Sequence, residues 1–275
     1  MRSHDDAAVI ADTLRMLHRQ DYPFELLVLD NQSTDGTLQE VRRYTDRVLT
    51  VSDYVPGRVL NQGMRHTQGE VVVFLNSDAT PQDESWLRNL LAPFTDPSVA
   101  AAFSRQIPRP DCWPLYAKDT EDTYGDGSRH SYWRNCFSMA SSAVRRSVWD
   151  RIQFNEQLQI SEDIDWTWRA RRQGRTVRYV PDSVVMHSHN YTWRQFCTRQ
   201  FKEGRDEALI FEWSAWRRSF LRYALLPYAR QVLGDWRYFL PRLGFGALTY
   251  APVLRMAQLA ARRAGFRRGL KERSQ

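Results

Sequence analysis

Three cysteines in 275 residues (Cys112, Cys136 and Cys197) are too few and too scattered for a disulfide framework. No two have metal-finger spacing, so they read as buried or idle thiols in a reducing compartment. The chain also lacks any apolar run near the ~20 residues that a membrane-spanning helix requires. Its opening, MRSHDDAAVIADTL, places charges where a signal peptide needs an apolar centre. These absences lead to the expectation of a soluble or membrane-peripheral protein, cytoplasmic and held on the inner face of the membrane. No Gly-rich, Lys-bearing phosphate loop opens the chain either, which disfavours a nucleotidyltransferase built on such a loop.

What is present is ordinary globular composition, 42% hydrophobic and 26% charged, enough for one substantial α/β domain with length to spare. The net charge of +7 is unevenly spread. From Ser214 to Gln275 there are 13 Lys and Arg against only Asp235 and Glu272, giving +11 and leaving −4 on the rest. A basic tail on a mildly acidic body points to an anionic surface as partner of the tail alone, and away from nucleic acid as partner of the body.

The first two-thirds alternates strand and helix signals. Helices are expected over Ala7 to Arg19, Thr37 to Arg43 (Thr37 and Glu40 having capping-box spacing), Asn61 to His66 and Trp86 to Phe94. Short apolar runs at Glu25 to Asp30, Arg47 to Val51 and Glu70 to Leu75 read as buried strands. The rhythm implies an α/β fold with a mostly parallel, Rossmann-like sheet flanked by helices, and such sheets bind ligands beyond the carboxyl ends of their strands. Two polar clusters fall at such ends: Asp30 with Asn31-Gln32-Ser33, and Asn76-Ser77-Asp78.

Beyond Ala100 the period fades. Arg105 to Tyr124 reads as a long loop, Ser161 to Gly174 as a helix, and Thr176 to Val180 and Val184 to His189 as strands. In the tail, Trp213, Trp216, Phe220, Tyr223, Leu226, Trp236, Tyr238 and Phe239 interleave with arginines, and Pro227, Gly234, Pro241 and Pro252 break it into short helices. A basic helix with an aromatic face suits an anionic bilayer; the same aromatics would serve a helical cover packed on a core. The expected division is residues 1–213 as the main domain and 214–275 as a basic helical tail.

Apart from the tail, three groups could carry chemistry. Asp78 after a strand is a helix-cap candidate, but Asp30 at a neighbouring strand end would border the same crevice. Glu162, Asp163 and Asp165 crowd one helix start beyond what capping needs, and a general base requires a positioned carboxylate. On a strand, His187 and His189 would share a face, and imidazole beside carboxylates suits Mn2+ or a similar ion.

Taken in order, RSHDDAAVIADTL, LLVLDNQSTDGT, GRVLNQGMRHTQGEVVVFLNSDATP, FSRQIPRP, ISEDIDWTWRARRQG, RYVP and HSHNY resemble family 2 glycosyltransferases, and within them the rhamnosyltransferase-like branch. The resemblance spans roughly residues 1–210. It implies a GT-A fold and inverting transfer of a sugar, L-rhamnose from dTDP-rhamnose in this branch, to a polysaccharide or lipid-linked acceptor. It also implies Mg2+ or Mn2+ as cofactor.

By position it puts Asp30, Asn31, Ser33 and Asp35 at the nucleoside, and Asn61, Gly63 and Arg65 near the nucleotide. Asn76-Ser77-Asp78 takes the place of the Asp-X-Asp metal motif, keeping its last carboxylate. Glu162-Asp163 matches the acid pair whose Asp deprotonates the acceptor, and His187 or His189 a histidine near metal and diphosphate. The family also has a buried strand just ahead of RSHDDA, and Met1 stands at its end. The expectation is a start upstream of Met1; the alternative is a sheet short of a strand, with exposed edges. A catalytically weak nucleotide-sugar or glycan-binding protein is the rival reading.

Overall fold

The computed structural model describes residues 1–128, 136–211 and 225–274. The chain divides into two compact units. One comprises Met1–Pro110, Thr120–Leu158 and Glu162–Ser188; the other comprises Asp111–Asp119, Gln159–Ser161 and His189–Gln275.

The first unit begins β1 (Arg2–Ser3), α1 (Ala7–His18), β2 (Val28–Asp30), α2 (Thr37–Val41), β3 (Val48–Thr50), α3 (Pro56–Arg65), β4 (Val71–Leu75), β5 (Thr80–Pro81) and α4 (Trp86–Leu91). It continues with β6 (Val99–Ile107), α5 (Pro114–Tyr124, begun in the second unit), β7 (Ser141–Arg145), α6 (Arg146–Trp149), α7 (Glu162–Arg172) and β8 (Thr176–Met186). Strands β1-β2-β3 form a parallel sheet. The order β4-β7-β6-β8-β5 forms a mixed one, parallel only between β6 and β8. Among the described residues a single bridge, Arg2 to Asn76, links the two sheets.

The helices seat on the sheets through the residues their periodicity marks. Ile10 and Leu14 of α1 are buried with Val28 and Val41. Leu60 and Met64 of α3 pack with Phe74, Phe103 and Trp166. The three β-branched valines and the aromatic Phe74 of β4 are residue types that strands favour.

Several expectations change. The loop expected over Arg105 to Tyr124 is the end of β6 followed by α5. Polar Ser104 and Gln106 hide that strand in sequence, yet both are buried and hydrogen-bonded, Ser104 to Ser141 and Gln106 to Ser138. The two strands expected after Arg175 are one, β8, whose pairing jumps from Ser104–Val180 to Arg105–Val184. β8 ends at Met186, so His187 and His189 stand just beyond the strand that was expected to carry them. The Thr37–Glu40 capping box is not formed: α2 is capped at Gly36 (φ 99°), and Asp35 accepts from the Thr37 amide and hydroxyl instead.

The second unit holds α8 (Trp193–Ile210), α9 (Leu226–Leu243), a 3-10 turn (Gly244–Gly246) and α10 (Ala247–Arg273). Thr192 and Gln195 close a capping box at the start of α8. Helices α8 and α10 approach closely: a Cβ at Gly204, Gly265 or Gly269 would overlap the backbone oxygens of Arg262, Phe201 and Arg205. From Leu226 on, the described part of the tail is two long helices and not several short ones. Pro227 lies in a first turn, where its missing N–H costs nothing, and the break comes at Gly244 (φ 59°).

Within this unit Arg255, 2% exposed, is forked between Asp235 (2.7 Å) and Asp119 (2.5 Å). Phe239 is fully buried and Trp236 and Tyr238 partly so, which gives these aromatics a packing role. Trp213, Trp216, Phe220, Tyr223 and the 213/214 boundary lie outside the described residues. Among the described residues no helix is long and apolar enough to cross a membrane.

Candidate active site

Strand pairing assembles the site. Antiparallel β5 and β8 put Thr80 opposite Met186, so the residue two before Thr80 and the residue after Met186 meet: Asp78 Oδ1 and His187 Nε2 are 3.6 Å apart. Parallel β6 sets Ile107 beside Met186 and brings Gln106 to the other side of the ring, where its Oε1 accepts from His187 Nδ1 at 2.8 Å. Gln106 Nε2 donates in turn to Ser138 Oγ. With Nδ1 held by Gln106, Nε2 is the ring atom turned toward Asp78, the one a metal ion there would use. Arg109 donates to the Asp78 carbonyl at 2.7 Å, holding that turn. His189 follows two residues along the chain, in the second unit, with its ring 5.3 Å from that of Tyr191.

The other end of the β4 turn is tied to β1. Arg2 donates to Asn76 Oδ1 (2.7 and 3.2 Å) and lies 3.6 Å from Glu162 Oε1 at the start of α7. Ser77 donates its backbone N–H to Arg2 O and its hydroxyl to the Asp6 carboxylate. Of the three acids on α7, Asp165 is buried and paired with Arg169 at 2.7 Å, a helical (i, i+4) ion pair that accounts for it structurally. Glu162 is buried beside Arg2, whereas Asp163 is partly exposed.

The turn after β2 is a closed hydrogen-bonded unit. Asp30, fully buried, accepts from Ser3 Oγ (2.9 Å), Ser33 N (2.9 Å) and Ser33 Oγ (2.6 Å). Asn31 N donates to Ser3 O, and Gln32 takes a left-handed conformation (φ 56°). Asp35 receives Thr37 and the Ala7 amide, and the Thr37 hydroxyl foremost holds its carboxyl below the usual range.

On α3, all four hydrogen-bonding valences of Asn61 are used inside the fold, by Phe154 O, Glu156, Trp149 Nε1 and Phe154 N. A Cβ at Gly63 would stand 3.0 Å from Leu29 Cδ1, and Arg65 faces Gln153 and Glu156. These three secure α3 against its neighbours.

Sequence reasoning missed Arg2, Gln106 and Arg109. Each acts through a partner brought in by pairing between distant strands, and no local spacing announces that.

Comparisons with known proteins bear on the family and the fold. The sequence model described as "Glycosyl transferase family 2" matches residues 1–153. The chain is similar to the O-antigen chain rhamnosyltransferase WbaN of Salmonella anatum, 30% identical over 199 residues, 66% of this chain and 62% of that protein. RfbN of Salmonella typhimurium, an O-antigen chain rhamnosyltransferase, is 30% identical over 66% of this chain and 63% of its own length. The chain thus spans less than two-thirds of these relatives.

Among solved structures, a mannosyltransferase from Pyrobaculum calidifontis in complex with GDP-Man and Mn2+ superposes with a TM-score of 0.64 at 17% identity, covering 95% of this chain and 85% of that one. The 1–349 portion of S. aureus TarS gives 0.55 at 18% identity over 100% and 90%. These likenesses show the GT-A glycosyltransferase fold. With the family match covering more than half the sequence, the chain belongs to glycosyl transferase family 2.

Proposed function

We propose that this protein is an inverting, divalent-metal-dependent glycosyltransferase that moves a sugar from a nucleotide-sugar donor to a hydroxyl of a polysaccharide or lipid-linked acceptor. The Salmonella relatives, both rhamnosyltransferases, support rhamnose as the sugar, and dTDP-L-rhamnose is the donor proposed for it. The observation that carries the proposal is the Asp78–His187 pair, with Glu162, the neighbour of Asp163 at the start of α7, joined to the turn after β4 through Arg2.

A carboxylate and an imidazole suit Mg2+ or Mn2+, so Asp78 and His187 would hold the ion, with His189 the third candidate. Bound there, such an ion neutralises charge growing on the leaving diphosphate. Asp30, Asn31, Ser33 and Asp35 shape the nucleoside turn, and Asn76 and Ser77 carry the donor side of the site. Asn61, Gly63 and Arg65 support it from α3. Asp163 takes the acceptor's proton as that oxygen bonds to the anomeric carbon and the bond to the diphosphate breaks. A single in-line displacement of this kind inverts the anomeric centre, in geometry analogous to inverting hydrolysis. Glu162, charge-paired with Arg2, positions the start of α7.

Purified protein with Mg2+ or Mn2+ and a panel of donors should release nucleoside diphosphate, and Asp163→Asn should stop turnover while donor affinity is kept. Donor binding without turnover against any acceptor would favour a nucleotide-sugar or glycan-binding protein, and pyrophosphate release a nucleotidyltransferase.

The proposal extends to the membrane surface. Leu226, Leu233, Leu240 and Phe245 are exposed, with exposed Arg230, Arg237 and Arg242 on the same stretch. Liposome binding should require anionic lipid and weaken with salt; equal binding to neutral liposomes in high salt would exclude the mechanism.

A further inference from the structure

Trp113 and Tyr191 stand where the chain leaves the turns around the Asp78–His187 pair. Trp113 comes four residues after Arg109, which holds the Asp78 carbonyl, and Tyr191 four residues after His187. Four residues reach at most ~14 Å, so both aromatics are tethered close to that pair by the chain itself.

The Trp113 ring is exposed and yet held. It is 47% exposed, and it stacks on Tyr116 with centroids 6.3 Å apart and planes 19° from parallel. Tyr116 in turn meets Tyr191 edge-on at 5.5 Å and Phe196 at 6.2 Å, and Phe196 is part of a buried cluster with Leu115 and Phe239. The backbone is pinned as well. Asn190 accepts from Trp113 N at 2.7 Å and donates to Asp111 O at 2.9 Å, so its amide staples the segment ahead of α5 to the segment ahead of α8. A large aromatic ring held rigid at the surface gives a partner contact area at little conformational cost.

The rim decides the kind of partner. The Tyr191 hydroxyl accepts from Arg199 at 3.2 Å, and Glu203 neutralises that guanidinium at 3.0 Å. Exposed Asp111 stands two residues before Trp113, a carboxylate that an anionic lipid or a phosphate would meet unfavourably. A flat apolar face edged by charge-balanced hydrogen-bonding groups matches a pyranose, which has one face of C–H groups and a rim of hydroxyls.

We propose that Trp113, backed by Tyr116 and Tyr191, is a stacking platform for a neutral pyranose of the acceptor glycan. The indole covers the C–H face of one sugar ring and leaves that ring's hydroxyls to water and to polar groups of the rim. The choice of a glycan rests on the proposed transfer to a polysaccharide or lipid-linked acceptor. The platform belongs wholly to the second unit, whereas Asp30, Asn76 and Asp78 belong to the first. The second unit thereby takes part in choosing the acceptor.

The test needs neither donor nor metal. Protein labelled with fluorotryptophan gives a fluorine resonance for Trp113, assigned by its loss in Trp113→Phe. Titration with the methyl glycosides of α-L-rhamnose, α-D-mannose, α-D-galactose and α-D-glucose should move that resonance saturably for at least one of them. Trp113→Ala should weaken binding of that glycoside, read by saturation transfer to the sugar protons, about 3–10-fold, and Trp113→Phe should weaken it less. If Trp113→Ala fails to fold, Trp113→Phe and the resonance of the parent protein still decide. A resonance unmoved by every glycoside, or glycoside binding equal in Trp113→Ala and the parent, would overturn the proposal. So would a resonance moved by vesicles of phosphatidylcholine and phosphatidylglycerol and by no glycoside. Release of nucleoside diphosphate is measured separately: glycoside binding at Trp113 without such release keeps the platform and removes the transferase, and release without binding does the reverse.

Discussion

Arg2 and Asn76 lie on different strands 74 positions apart, and the Arg2 guanidinium grips the Asn76 side-chain oxygen at 2.7 Å. Because the same guanidinium faces Glu162, it transmits the position of the β4 turn to the start of α7. Charge-assisted hydrogen bonds contribute roughly 1.5–3 kcal/mol. Arg2→Met should therefore lower kcat about 10–100-fold with far less change in donor affinity, and Arg2→Lys should recover part of the loss. Equal loss of kcat and of thermal stability in both variants would reduce Arg2 to a structural role.

Metal dependence should follow the Asp78–His187 pair. Asp78→Asn and His187→Ala should each raise the Mn2+ concentration needed for half-maximal turnover. Gln106→Leu, which removes the hydrogen-bond partner of His187 Nδ1 without touching the ion, should do so by about 10–100-fold, the usual cost of losing an outer partner. Titration of metal against initial rate checks all three, and an unchanged midpoint in His187→Ala would remove it from the ligand set.

The ion cluster at Arg255 makes a stability prediction. Asp235→Ala leaves Arg255 and Lys118, 3.2 Å from that carboxylate, buried without their common partner. Removing one member of such a pair costs about 3–5 kcal/mol, whereas replacing both by apolar residues is often neutral. Urea denaturation should show a large loss for Asp235→Ala and recovery in the double variant Asp235→Leu with Arg255→Met.

Cys136 should be a slow thiol. Burial first, and the Asp163 carboxylate second, push its pKa up to about 12. Only the thiolate reacts, so alkylation at pH 8 should be about 10³-fold or more slower than at an ordinary cysteine and should rise tenfold per pH unit. Mass-spectrometric mapping after iodoacetamide treatment measures this site by site. In Asp163→Asn the rate at Cys136 should increase, because the opposing charge is gone.

Much of the frame was legible in sequence, and the reasons are local. Val71 to Leu75 is continuously apolar and β-branched, and Glu162 to Arg172 has acids first and arginines last, so both elements emerge close to where they were expected. β6 escaped because Ser104 and Gln106 look like loop residues until their partners on β7 and beyond are in place. The helices of the tail were underestimated because proline and glycine were weighed by type and not by position within the turn. Within the site, the strand-end placement of Asp78 was readable. The separation of Asp165 from Glu162 and Asp163 was not, because it depends on which acid meets Arg169 and which meets Arg2.

The glycine seam between α8 and α10 has a consequence for how this unit can change. Where each helix's backbone occupies the space a neighbouring side chain would need, neither partner can accept a larger residue while the other stays put. Substitutions along the seam must arrive together or not at all. A chimera that borrows the tail of a relative should therefore take α8 with α10, and a crossover placed between them should yield a protein whose last helix has no seat.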